Sequence, residues 1–308
     1  MAINREKLLG EAQKLIEKRK YDKAIVELKK LTTVDPNDVR TLHKIADVYV
    51  KQLAWVEAID TYDQVAKLYA SGGFAPKAIA VYKQMREIMA SQVPQLDERY
   101  GHIVPRLAAL YQESNLNSEA LALYEQSGKK LQAQGRLAEA AEVFAQAAHI
   151  DSQNPMAWLR VAEARIHSRD LDGAVEAWKM TGDLLLQQER PNDAIQIFER
   201  LLQHKHDLEV AKRCAIAYLT RNRPGDAALG LQKLLPCYQA MPQDLEVLTL
   251  IARAFDGIGE VQKAFEVRKQ AAHVARSSGQ MEVFRDLVTY LLRVAPNDPV
   301  VRALAGQA

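Results

Sequence analysis

Tyr21-Asp22-Lys23-Ala24-Ile25, Trp55-Val56-Glu57-Ala58-Ile59, Leu137-Ala138-Glu139-Ala140-Ala141 and Leu171-Asp172-Gly173-Ala174-Val175 share a large residue three places before an alanine. With that alanine as an anchor, the position recurs at Ala24, Ala58, Ala78, Ala120, Ala140, Ala174, Ala194, Ala227 and Ala264, and Phe284 takes the last place. Twelve residues before the anchors stand Ala12, Ala46, Ala66, Ala108, Gly128, Ala162, Gly182, Ala215, Ala252 and Ala272. Every one is Ala or Gly. These two types make up 59 of 308 residues, so chance would put about two of them in ten places. Residues at these offsets would face each other across a helical hairpin, where close packing demands small side chains. Four residues after the anchors come Leu28, Tyr62, Tyr82, Tyr124, Phe144, Trp178, Phe198, Leu231, Arg268 and Val288, mostly large apolar groups one helical turn onward. They would fill the space that the small residues leave.

This pattern resembles the tetratricopeptide repeat family, whose units carry a small residue on the first helix, alanine on the second, a large residue one turn later and a closing proline. Pro36 and Pro296 match that proline. The resemblance runs from about residue 5 to residue 296 and implies an all-α, right-handed α-solenoid of about 16 antiparallel helices, a TPR-like superhelix. It implies one superhelical domain over residues 1–308, with residues 297–308 as a capping segment.

Anchor spacings of 34, 20, 42, 20, 34, 20, 33, 37 and 20 depart from a uniform repeat. A gap of 20 leaves room for one helix and a turn, so the second helix of one hairpin must serve as the first of the next. Helices near 55–71, 117–134, 171–188 and 261–277 would play both parts, each followed by a breaker such as Ser71-Gly72-Gly73 or Gln134-Gly135. Helical insertions in irregular repeats are the alternative. The connection from Met89 to Arg99, with Pro94, either extends a helix or bends the array.

Composition sets limits. With 48% hydrophobic and 26% charged residues, the chain can build a core and remain soluble. A net charge of +2, from 41 basic and 39 acidic residues, lacks the basic excess of a dedicated nucleic-acid binder. Single-stranded RNA binding by a helical-repeat array is the alternative function, and its steep salt dependence would expose it. No run of about 18 apolar residues could span a membrane, and the start lacks the apolar segment of a secretory signal. Cys214 and Cys237 form no CxxC pair and are expected to be buried thiols of a cytoplasmic protein.

Little chemistry is in view. His204-Lys205-His206 holds the only close histidine pair, and alternate residues of a helix diverge. No cofactor or metal is implied. Paired carboxylates such as Glu139 with Glu142 or Asp60 with Asp63 suit wet helix faces, and Trp55, Trp158 and Trp178 are expected in the core. The chain is read as non-catalytic, an adaptor that holds a protein or peptide partner.

In proteins of this resemblance the first helices line a concave face, and the residue fourteen before the anchor points into it. That position holds Lys44, Arg106, Arg160 and Arg213, with Gly10 and Leu250 at the ends, and Gln64, Gln126, Met180 and Gln270 on the shared helices. Lys67, Lys129 and Arg253 lie three residues further on. Cations with interleaved amides would suit an acidic extended or helical segment. The competing reading has these residues decorating solvated faces beside acidic neighbours. The interleaved three-helix units are also similar to repeat proteins of gliding and predatory bacteria, some of which act in cell polarity or motility through a small GTPase or response regulator. The oligomeric state is left open.

Overall fold

A computed structural model describes residues 5–96 and 98–306. They fall into two compact units, one ending at Ala133 and the other starting at Gln134. The first unit contains α1 (Arg5–Glu17), α2 (Tyr21–Val34), α3 (Val39–Lys51), α4 (Trp55–Ser71), α5 (Ala75–Gln92), α6 (Ile103–Glu113) and α7 (Asn117–Ala133). The second contains α8 (Leu137–Ile150), α9 (Pro155–His167), α10 (Leu171–Gln187), α11 (Pro191–His204), α12 (Leu208–Arg221), α13 (Asp226–Ala240), α14 (Leu245–Ile258), α15 (Val261–Ser277), α16 (Met281–Val294) and α17 (Pro299–Ala305). The described residues contain no strand.

The small positions do what their spacing requires. All ten residues twelve before the anchors are buried, and so are nine of the ten anchors. Gly182 shows why size matters there: a Cβ at that position would sit 2.3 Å from the ring of Phe198, which stands four residues after the anchor Ala194 and is itself fully buried. The absent side chain is therefore the space that the ring occupies.

Three of the double-role helices fall within single units, and each packs against both sequence neighbours: α4 on α3 and α5, α10 on α9 and α11, α15 on α14 and α16. The short 20-residue steps are thus shared helices at these places. The C-terminal tail forms α17, which packs on α15 and α16 and buries Val301 and Leu304 beside Phe284, Val288 and Leu291. The long connection resolves into the end of α5, a 3-10 turn at Pro94–Leu96 and a segment held on α4, where the Tyr100 hydroxyl donates to Asp60 at 2.7 Å and Arg99 donates to the same carboxylate at 3.0 Å.

A rule of the turns emerges from the backbone. Each anchor is preceded, five residues earlier, by a residue with positive φ: Arg19, Leu53, Gly73, Asn115, Gly135, Arg169, Glu189, Asn222, Gly259 and Gly279. The left-handed residue ends one helix and turns the chain into the next. The turn after α12 has a second one, Gly225 at φ 88°. This addition corrects the sequence reading there. Ala227 is only half-buried, and the close approach passes to Gly230, which lies against Leu219 and the Ala215 carbonyl; four residues on, Leu234 is fully buried in place of Leu231.

Other expectations need adjustment. Trp178 is fully buried, but Trp55 and Trp158 are half-buried near helix starts, and the Trp158 indole N–H donates to the Ser152 carbonyl at 3.0 Å. Arg268, in a place otherwise filled by apolar groups, ion-pairs with Asp256 and lies over the Tyr290 ring. The two cysteines are free and buried, and burial pushes the Cys214 thiol up to about 12.

Candidate partner-binding surface

The groove candidates of the first unit do not form one row. Lys67 pairs with Asp63 one turn earlier on α4. Asp63 is buried, its Oδ1 lies 3.2 Å from His102 Nε2, and neither atom has a hydrogen-bond partner among the described residues. Arg106, on α6, lies close enough to Tyr82 to lower the phenol's pKa in part, against burial, which raises it. Gln126 accepts from Arg86 at 3.1 Å, and Lys129 pairs with Glu125 at 2.8 Å.

Lys44 and Gln64 lie apart from that group. Leu42, Ile45 and Tyr49 mark the α3 face that lines a cleft against α2 and α4, and Gln64 is on its rim. Lys44 stands about 100° or more around the helix from those three residues. The same offset from two anchors thus gives two surfaces, because a shared helix cannot turn one face both ways.

Sequence spacing missed a polar network on α3. The Tyr62 hydroxyl donates to Asp47 at 2.6 Å and accepts from Gln84 at 2.8 Å, while His43 lies 3.4 Å from Asp47. The Asp47 hydrogen bond raises the His43 pKa against burial, and Asp47 is itself held below the usual carboxylate range although burial alone would raise it. The anchor spacing had placed Tyr62 among the packing groups, and no signal in residue type marked His43, Asp47 or Gln84 as its polar neighbours.

In the second unit Arg160 is exposed, with its guanidinium 5.9 Å from the Phe144 centroid. Arg213 is held between Asp183 at 3.4 Å and Glu209 at 3.8 Å. Arg253 donates to the Leu219 carbonyl at 2.9 Å, and Gln270 contacts the Tyr238 hydroxyl at 3.3 Å and donates to the Pro242 carbonyl at 3.2 Å. Met180 is exposed, whereas Leu250 belongs to the core with Val247 and Ile251. Several cations expected to face a partner are therefore engaged inside the chain.

A different set of cations ties successive first helices together. Arg5 pairs with Asp38 at 2.6 Å, Lys179 with Asp207 at 3.0 Å and Lys269 with Asp298 at 3.5 Å; these acids are the N-caps of α3, α12 and α17. Lys212 reaches Glu246 in the first turn of α14 at 2.7 Å. Each cap carboxylate accepts one or two backbone N–H groups at the positive end of its helix and takes a cation from the preceding layer. Among the described residues no group of three His, Cys, Asp or Glu side chains gathers as a metal site, and no helix is long and apolar enough to cross a membrane.

The segment 131–180, which covers α8, α9 and most of α10, matches the family model described as tetratricopeptide repeat. Residues 131–180 carry a tetratricopeptide repeat. No curated protein matches it. Among solved structures it is similar to the TPR2AB-domain:pHSP90 complex of yeast Sti1, at 14% identity and TM-score 0.35 over 95% of this chain and 98% of that one. It is similar to yeast Tom70 at 10% identity and TM-score 0.35 over 98% of both chains. YrrB, described as a TPR protein with an unusual peptide-binding site, aligns at 15% identity and TM-score 0.31 over 53% of this chain and 90% of its own.

Proposed function

We propose that this chain is a non-catalytic scaffold of the cytoplasm that holds a protein or peptide partner against the exposed faces of its helical hairpins. The observation that carries the reading is the repeat itself. Buried small residues at a fixed offset lock helix against helix, and the product of that packing is a set of rigid, side-chain-bearing faces. Tetratricopeptide arrays present such faces to partners, and a rigid face binds with little ordering penalty.

An acidic partner is the finer proposal. Lys44 has no ion-pair partner among the described residues, and Arg106 and Arg160 are exposed cations at the same offset. A small GTPase or response regulator is one narrower class within it. The test is capture of partners from the native cell by the intact chain and by an Arg106→Glu, Arg160→Glu double variant of equal thermal stability. Loss of the captured proteins with the variant supports the cationic assignment, and unchanged capture rejects it. Magnesium with a nucleotide, or zinc alone, should leave the melting temperature unmoved; a rise would point to a bound substrate and an enzyme.

A further inference from the structure

We infer that the cleft between α2, α3 and α4 is a peptide-docking site that takes a bulky apolar side chain from an extended segment with an acidic residue beside it. The inference rests on the scaffold reading and names one place where it acts. The cleft has a volume of about 320 Å³, at the low end of ligand-sized clefts and suited to one or two side chains rather than a folded surface.

Its chemistry is specific in three respects. The floor is apolar, formed by Ile45 and Leu42, which are 2% and 6% exposed, while Thr32, Thr33, Thr61 and Gln64 make the walls polar. The rim holds one charge, Lys29, whose ammonium lies 5.8 Å from the Tyr49 ring centroid and, among the described residues, has no carboxylate partner. The lining contains no acid at all. Gln64, exposed on the opposite rim, has no hydrogen bond among the described residues, so its amide can both donate to and accept from an extended backbone. The Thr33 hydroxyl donates to the Lys29 carbonyl at 2.8 Å within α2, which leaves its oxygen as an acceptor toward the cleft. An occupant therefore meets a small apolar floor between polar walls, a backbone clamp and a lone cation. A lone cation beside an apolar pocket selects a carboxylate next to an apolar side chain.

The test is to pan a phage-displayed library of random linear peptides against the intact chain, and to measure the enriched peptides by fluorescence anisotropy. Two variants report on the site. Gln64→Trp fills the cleft from an exposed helix position, and Lys29→Glu reverses its charge; circular dichroism and melting temperature establish that both remain folded. The expected result is enrichment of peptides with Asp or Glu beside Leu, Ile, Phe or Trp, bound about tenfold or more weakly by each variant. Enriched peptides that bind both variants as well as the parent would overturn the site while leaving the scaffold reading in place. Peptides lacking the acid would overturn the stated chemistry, and no enrichment would sink the inference while leaving the scaffold reading to the capture experiment. Sedimentation of parent and Gln64→Trp covers the remaining occupant: a dimer that the variant dissolves would assign the cleft to a second copy of the chain and overturn the peptide.

Discussion

Replacing Gly182 by alanine adds one methyl group where the packing leaves no room for it. The new Cβ would lie 2.3 Å from Phe198 Cε1 and 2.4 Å from Cζ, about 1.2 Å inside normal carbon contact. Phe198 is fully buried, so its ring has no open space into which to retreat. Overpacking of this kind costs about 1–3 kcal/mol, and two overlapping ring carbons argue for the upper end. Alanine returns about 1 kcal/mol through its better helix propensity, for a net loss of about 2 kcal/mol. The assay is urea unfolding followed by circular dichroism, with amide hydrogen exchange to locate the loss in α10 and α11. Gly10→Ala supplies the control of opposite sign: nothing lies within 4 Å of its Cβ position, so that variant should gain about 0.5–1 kcal/mol. Phe198→Leu shortens the ring's reach and should recover at least about 1 kcal/mol in the double variant relative to the sum of the singles. If Gly182→Ala stabilised the chain as Gly10→Ala does, the reasoning from side-chain size would be wrong.

Other expectations follow from single features. Leu53 is 68% exposed and held at φ 61°, so Leu53→Asn should keep or raise the free energy of unfolding, by up to about 1 kcal/mol of relieved strain. Gly279→Val puts a β-branched residue at φ 75° and should lower it by about 1–3 kcal/mol. Asp38→Ala removes the cap on Thr41 N–H as well as the Arg5 pair and should lose about 1–2 kcal/mol in urea unfolding, whereas Arg5→Ala, which breaks only a half-exposed ion pair, should lose less than about 1 kcal/mol. Hydrogen bonds from Arg221, and then from the Arg223 N–H, hold Asp226 below the usual carboxylate range against the opposing effect of burial. A depressed folded pKa stabilises above the unfolded value, so this contribution should be complete above about pH 4 and vanish as pH falls through the folded value. Asp226→Asn should flatten that part of the acid side of a stability–pH curve; an unchanged curve would contradict the linkage.

The fold was legible because one size constraint repeats. Ala12, Ala46 and the other small residues announce close approach wherever they stand, and the 20-residue steps correctly marked α4, α10 and α15 as shared. The turns after the shared helices were legible from Gly73, Gly135, Gly279 and, beside Glu189, Pro191. At Arg19, Leu53, Arg169 and Glu189 the conformation is imposed by the hairpin, and the residue type gives no sign of it. The register change at Ala227 was missed for a local reason: Gly225 adds a second left-handed residue, and the anchor offset assumes a single one.

The surface was less legible because a fixed offset names a position, not the direction in which it faces. Gln64 faces α2 and Tyr49, while Lys67, three residues on, pairs with Asp63 beside the segment that leads into α6. Cations such as Arg213 and Arg253 find partners far away in sequence, and no local pattern could predict those partners.

Ala108 and Ala109 are neighbours on α6, the first fully buried and the second exposed. Thermal unfolding of Ala108→Leu and Ala109→Leu therefore measures the packing register with composition, helix and residue type held constant. The account predicts a large fall in melting temperature, with loss of a sharp transition, for Ala108→Leu and almost none for Ala109→Leu. Equal effects at the two positions would contradict the claim that small residues in register hold these hairpins together.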